Sequence, residues 1–223
     1  MHHFAPFRMV RNGTLTLLKA PRMVCAMNIP HGSVRLADVA SIRQGHPFRG
    51  AIAAFENGPV SVIQLKNVTA SGVHAHELLR TRLHHRKSPD WVQDGDVLLT
   101  ARGARPVAAL LCDPPDDTVC SPHLYVIRIV DQATLLPAFL AWQLNQPAAH
   151  DHLCRQAAGS RQQSLRKTAV ENLSIQLPPP RQQRRIVSLA RAAQLERCHC
   201  EQMMAARHEE VARYAAQLLG GTA

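Results

Sequence analysis

The chain has 223 residues, of which 46% are hydrophobic and 19% charged, and its net charge is +10. No apolar run approaches the roughly 20 residues of a membrane span, and the N-terminal "LTLL" is too short for a signal-peptide core, so the sequence reads as cytoplasmic. Its six cysteines include no CxxC pair and read as reduced thiols rather than zinc ligands.

Patterned sequence starts near "MNIPHGSVRLADVA", which leaves residues 1–26 as an N-terminal extension. "VRLADVASIRQG" (34–45) reads as a helical turn running into a strand that ends at Gly45, and "GHPFRG" as a loop held between two glycines. "PVSVIQLKNVT" (59–69) alternates as a strand does. "HELLRTRLHHRKSPDW" (76–91) is amphipathic and basic, and Pro89 ends it. "VQDGDVLLTARG" (92–103) predicts an Asp-Gly turn, a buried strand and an arginine-bearing loop. "PVAALL" (106–111) and "LYVIRIV" (124–130) read as further strands.

Residues 135–159 carry a helical periodicity interrupted at Pro147. The stretch 160–177 gives a polar loop, one turn of helix and a strand over 173–177. Pro178 to Pro180 then hold the chain extended and stop the strand ladder. From Arg181 to Leu218 there is neither proline nor glycine. Apolar or small residues recur at Ile186, Leu189, Ala193, Cys200, Met203, Val211, Tyr214 and Leu218, a heptad-like stripe, broken at Glu196 and Arg207, on a helix of about 57 Å. Such a stripe calls for a partner helix; the alternative is a helix folded back over its own domain.

Charge is segregated along the chain. Residues 1–34 contribute +4, residues 35–105 contribute +4, residues 106–154 contribute −4, residues 155–197 contribute +7 and residues 198–223 contribute −1. A polyanion-facing surface accounts for this better than general solubility. Arginine outnumbers lysine 22 to 4, and its planar fork suits phosphate oxygens and guanine edges.

No catalytic constellation is complete. "CDPPDD" (112–117) has an aspartate where an amino-methyltransferase places the aromatic that stacks on a flipped base, so it reads as an acidic turn. "SPDW…DGD" lacks the E-x-K that would complete a nuclease metal site. The histidines are scattered, and His84-His85 belongs to a basic run. The remaining inventory is one for binding: Arg43, Gln44 and Arg49, then Lys66 and Asn67, then Arg102 and Arg105, then Arg161, Gln162, Gln163 and Arg166, all on loops or strand ends. Arg, Gln and Asn read base edges, while Lys and surplus Arg neutralise phosphates.

"LADVASIRQGHPFRG", "DGDVLLTARG", "CSPHLYVIRI" and "LPAFLAWQLNQ…AAGSRQQSLRKTAVENLSIQLPPPRQQRRIVSLA", in this order, resemble the specificity subunit of type I restriction-modification systems. The resemblance spans roughly residues 33–219. It implies a mixed α/β target-recognition domain (27–180) with flanking helices, followed by a coiled-coil spacer and dimerisation helix (181–219). It further implies a non-catalytic chain that reads one half of a bipartite double-stranded DNA site. Methyltransferase subunits, which carry S-adenosylmethionine, would dock on it and bring the restriction subunits; the chain itself would hold no cofactor and no metal. One recognition domain and one helix make it look like a half-length subunit that homodimerises. The alternative function is a nucleic-acid-binding adaptor that recruits a different effector through its C-terminal helix.

Overall fold

The structure, a computed structural model, describes residues 32–48, 50–74, 78–83, 89–103, 105–157 and 164–220. The N-terminal extension (1–26), Arg49, the basic run around His84 and His85, and Arg161, Gln162 and Gln163 lie outside the described residues.

Strand β1 (Ser33–Arg35) leads through the short helix α1 (Leu36–Val39) into β2 (Ala40–Gln44), the turn-then-strand that the sequence predicts. Only the first part of 59–69 is a continuous strand, β3 (Val60–Ile63). At Gln64 the chain leaves the ladder for a 3-10 turn (Leu65–Asn67), because Gln64 and Asn67 cap each other's backbone N–H groups. A small hairpin of β4 (Val68–Thr69) and β5 (Gly72–Val73) follows, and the amphipathic segment contributes β6 (Leu79–Thr81).

The Asp94-Gly95 turn stands where expected, with Gly95 at φ +82, a left-handed conformation that costs glycine little. It feeds β7 (Val97–Thr100), which pairs antiparallel with β8 (Ala108–Leu110). The acidic turn then leads into β9 (Thr118–Cys120), followed by β10 (Leu124–Ile129). Helices α2 (Pro137–Leu144), α3 (Pro147–Ala157) and α4 (Lys167–Glu171) come next, then β11 (Ser174–Gln176) and the long α5 (Pro180–Leu219).

Two main sheets result. The first, β2-β10-β7-β8, is antiparallel throughout. In the second, β6-β3-β9, the central strand runs antiparallel to β6 and parallel to β9. Leu98, Ala109 and Val126 of the first sheet meet Ile63 and Cys120 of the second in one buried cluster. On the other face α2 packs against β7 and β8 through its buried Phe139, Leu140 and Leu144. Burial on both faces is why "VLL" and "LYVI" are unbroken apolar runs instead of alternating ones. β1 and β11 form a separate antiparallel pair that ties the first described strand to the segment before the prolines.

The corner differs from expectation by one residue. Pro180 is the first helical residue and Pro179 is the N-cap, so the proline triplet runs into the helix. Proline suits that position because its φ is already helical and its missing N–H would have no partner in the first turn. The first turns of α5 pack on α2. Gln183 is buried, Ile186, Val187 and Ala190 are half-buried, and every residue from Arg191 to Gly220 is exposed. The helix therefore does not fold back over its domain. Among the described residues no helix is long and apolar enough to cross a membrane.

Candidate nucleic-acid interface

Strand register decides which loops share an end of the domain. Gln44 at the end of β2 lies opposite Tyr125, near the start of β10, and Thr100 at the end of β7 lies opposite Leu124. Ile63 at the end of β3 pairs with Cys120 at the end of β9. The C-terminal ends of β2, β3, β7 and β9 thus converge, and the loops that follow them form one surface. The opposite end collects the turns before β7 and β9 and after β8 and β10.

Charge follows this division. Lys66, Arg102, Arg105 and Arg166 are exposed on the loop end. The other end holds Asp94, Asp113, Asp116, Asp117 and Asp131, all exposed. The loop end is thus cationic, while the other end sets its aspartates beside the exposed Arg184 and Arg191 of α5, which share a groove with Asp94.

The loop end is built by backbone bonds from several strands. Leu165 N–H donates to the Ala101 carbonyl at 2.8 Å, and Arg102 and Ser164 form an isolated antiparallel bridge. Those contacts bring Arg102 and the Ser164–Arg166 segment together across a long stretch of sequence. The Tyr125 hydroxyl donates to the Leu165 carbonyl at 2.8 Å. Burial, and then the nearby Glu171 carboxylate, raise the Tyr125 pKa, so the phenol stays a neutral donor.

At the centre lies Ser121–His123, the crossing from β9 to β10. Ser121 N–H donates to the Ile63 carbonyl at 2.8 Å, and Ala101 N–H donates to the His123 carbonyl at 2.8 Å. Gln44 Nε2 donates to the Pro122 carbonyl at 2.7 Å. Gly45 packs so closely here that a Cβ would collide with the Ser121 carbonyl. Beside this crossing is a groove of about 380 Å³, whose lining includes Phe48, Ile52, Gln64, Lys66 and His123.

Not every nominated residue reaches that surface. Arg43 turns inward: its Nη2 donates to the Trp91 carbonyl at 2.8 Å and stands 3.9 Å from Asp96 Oδ2, with Asp90 at 3.4 Å from Nη1. Asn67 is 1% exposed and its side-chain oxygen accepts the Gln64 N–H at 2.9 Å. Each of these two side chains is thus engaged in holding the fold. Gln44 is exposed, but its amide is anchored on Pro122.

The carboxylate that draws Arg43 inward is Asp96, 1% exposed. Arg128 Nε and Nη2 donate to its two oxygens at 2.7 Å each, and Gln93 N–H adds a bond at 2.9 Å. The bond to Asp96 raises the Arg128 pKa, against the lowering effect of burial. The second aspartate of "DGD" is thus a structural anchor across β2, β10 and β7. Sequence reasoning also missed His123, whose only signal was a histidine between two predicted strands.

A model of the family described as "Type I restriction modification DNA specificity domain" matches residues 31–190. The chain belongs to this family. Its members are the non-catalytic DNA-recognition component of restriction-modification complexes. Solved structures of type I systems share the specificity-subunit fold. A chain from a structure of complex assembly and conformational transition of the type I R-M system aligns at TM-score 0.59 and 20% identity, covering 87% of this chain and 46% of that one. The type I S subunit from M. genitalium aligns at TM-score 0.53 and 12% identity, covering 85% and 46%. The HsdS subunit from Thermoanaerobacter tengcongensis aligns at TM-score 0.54 and 19% identity, covering 82% and 42%. The chain therefore spans less than half the length of these solved chains. No curated protein matches it.

Proposed function

We propose that this chain is a specificity subunit that reads double-stranded DNA with the cationic loop end of its globular domain. The observation that carries the reading is the convergence of the β2, β3, β7 and β9 C-terminal ends, bearing the exposed Lys66, Arg102, Arg105 and Arg166. Duplex phosphates attract that surface. Arg49, Arg161, Gln162 and Gln163, which lie outside the described residues, join the proposed contact set on the sequence alone.

In this reading α5 pairs antiparallel with α5 of a second copy. Leu189, Met203, Val211, Tyr214 and Leu218 are 62 to 81% exposed along the stripe, an arrangement that favours a covering helix. Ile186 lies half-buried at its base, and Ala193 and Cys200 are exposed within it. Charge favours the antiparallel direction. Residues 180–197 hold five arginines and one glutamate, a net +4, while residues 198–219 hold two arginines and three glutamates, a net −1. Parallel pairing would set +4 against +4. Two domains at opposite ends of a two-fold assembly would read a gapped palindrome. Methyltransferase subunits, and through them restriction subunits, are the partners this role requires.

Arg181, Arg184 and Arg185 stand exposed in the first turns of α5, where the helix dipole disfavours cations. Their placement fits contact with DNA backbone or an acidic face of a partner subunit. Reversing charge at Arg102, Arg105 and Arg166 tests the DNA reading. The triple variant is expected to lose affinity for duplex DNA and to lower the salt slope by about 2 to 3. An unchanged slope would place the DNA elsewhere.

A further inference from the structure

Among the described residues the loop end contains a concave, chemically mixed place that does not coincide with the nominated arginines. Gln44 Nε2 and Ala101 N–H donate to the Pro122 and His123 carbonyls, and Ser121 N–H donates to the Ile63 carbonyl, so Ser121–His123 is bonded to β2, β3 and the loop after β7. His46 N–H adds a bond to the Cys120 carbonyl at 2.7 Å. The crossing is therefore clamped between both sheets. Phe48, on the far wall of the groove, is fixed from behind by the buried cluster of Val60, Val62 and Val119. It also meets the His46 ring edge-on at 4.9 Å.

We infer that this groove is a base-reading subsite, with His123 as the side chain that discriminates and Lys66 as its neighbouring cation. The inference rests on the DNA reading above and adds to it where sequence information is taken up. His123 is half-buried, lines the groove, and its ring makes no hydrogen bond among the described residues. An imidazole on a clamped backbone offers a donor, and in its neutral form also an acceptor, close to the groove. Purine N7 and O6 in the major groove are acceptors that such a donor can meet.

A reader already held in place gives up less conformational freedom on binding than an arginine on a long loop. Phe48 and Ile52 supply apolar walls, against which a thymine methyl or the edge of a neighbouring base can pack. Lys66 is exposed at the rim, where it can meet a phosphate or a guanine edge. Among the described residues the lining contains no carboxylate to oppose a phosphate or a purine acceptor.

The test uses the full chain and the duplex it prefers, selected first from a randomised pool. Binding of His123→Ala, His123→Gln and Lys66→Ala is then measured against a panel carrying every single base-pair change in that duplex. Circular dichroism melting serves as the fold control. His123→Ala is expected to lose about ten- to one-hundredfold of discrimination at one base pair, with other positions and the salt slope unchanged. Lys66→Ala should lower affinity more evenly across the panel. If His123→Ala keeps the wild-type preference at every position, or weakens all positions equally, the subsite assignment is overturned. A wild-type chain that binds the whole panel equally overturns the DNA-specificity reading itself, which is a separate outcome.

Discussion

The side-chain amide of Gln183 accepts the backbone N–H of Leu136 at 2.9 Å, so the first turn of α5 is bonded to the start of α2. The same amide donates to the Thr134 carbonyl at 2.8 Å and the Pro178 carbonyl at 2.7 Å, and the residue is 0% exposed. One buried side chain therefore holds the loop before α2, the proline corner and the helix in a single arrangement. In the proposed dimer, the spacing between two recognition domains would depend on that joint being stiff. The prolines restrict the backbone, and Gln183 fixes the angle.

Replacing Gln183 by alanine leaves the Leu136 N–H and two carbonyls without their partner. The expected cost is about 2 to 3 kcal/mol, or a melting temperature lower by about 5 to 10 °C. Gln182→Ala, on the exposed side of the same turn, should leave melting unchanged. Equal melting of the two variants would mean that the joint does not rest on this amide.

Asp96→Asn removes the counter-charge of Arg128 while keeping the size of the buried group. A loss of about 2 to 3 kcal/mol is expected, below the range for a fully buried pair because Arg128 is 35% exposed. Replacing Arg128 by methionine as well should recover part of it, which a double-mutant cycle on urea midpoints measures. Strict additivity of the two changes would remove the case for coupling between them.

The cysteines should separate cleanly by reactivity. Burial pushes the Cys120 thiol far above its ordinary pKa, with nearby Asp96 adding to the rise, whereas Cys112, Cys154, Cys198 and Cys200 are exposed. A thiol whose pKa is raised in the folded state supports folding below its unfolded pKa, and that support is lost as pH rises past it. Cys120 should therefore resist alkylation in the native protein at pH 8 and react once urea unfolds it. Mass spectrometry after a labelling pulse reads this directly. Early labelling of Cys120 would show that the two-sheet core opens on the labelling timescale.

Much of the fold was legible because its elements carry local signals. The Asp-Gly turn, the runs "VLLT" and "LYVIRI", the break at Pro147 and the proline corner each declare themselves within a few residues. β9 did not, since three residues cannot display a period and its partner β3 lies far away along the chain. The candidate site was legible as a set of loops but less so as a set of side chains. Arg43 alternates with the buried Ile42 along β2, so it reads as a surface cation. Only the fold reveals that its other side faces Asp96. Asn67 likewise reads as a loop amide until the 3-10 turn closes on it.

The stripe on α5 predicts the oligomeric state. The wild-type chain should show a solution mass near twice its 24.6 kDa, and glutamate at both Met203 and Val211 should return it to monomer with the domain still folded. A wild-type monomer would mean that the stripe serves a different protein, and the palindrome expected from symmetry would go with it.

The central claim is sequence-specific recognition of duplex DNA, and selection from a randomised duplex pool tests it most directly. The account predicts enrichment of one motif with two half-sites related by inversion and separated by a fixed gap, bound about a thousandfold or more tighter than unselected DNA at physiological salt. Binding that is salt-dependent but enriches no sequence would contradict it, and would leave the chain a non-specific polyanion binder.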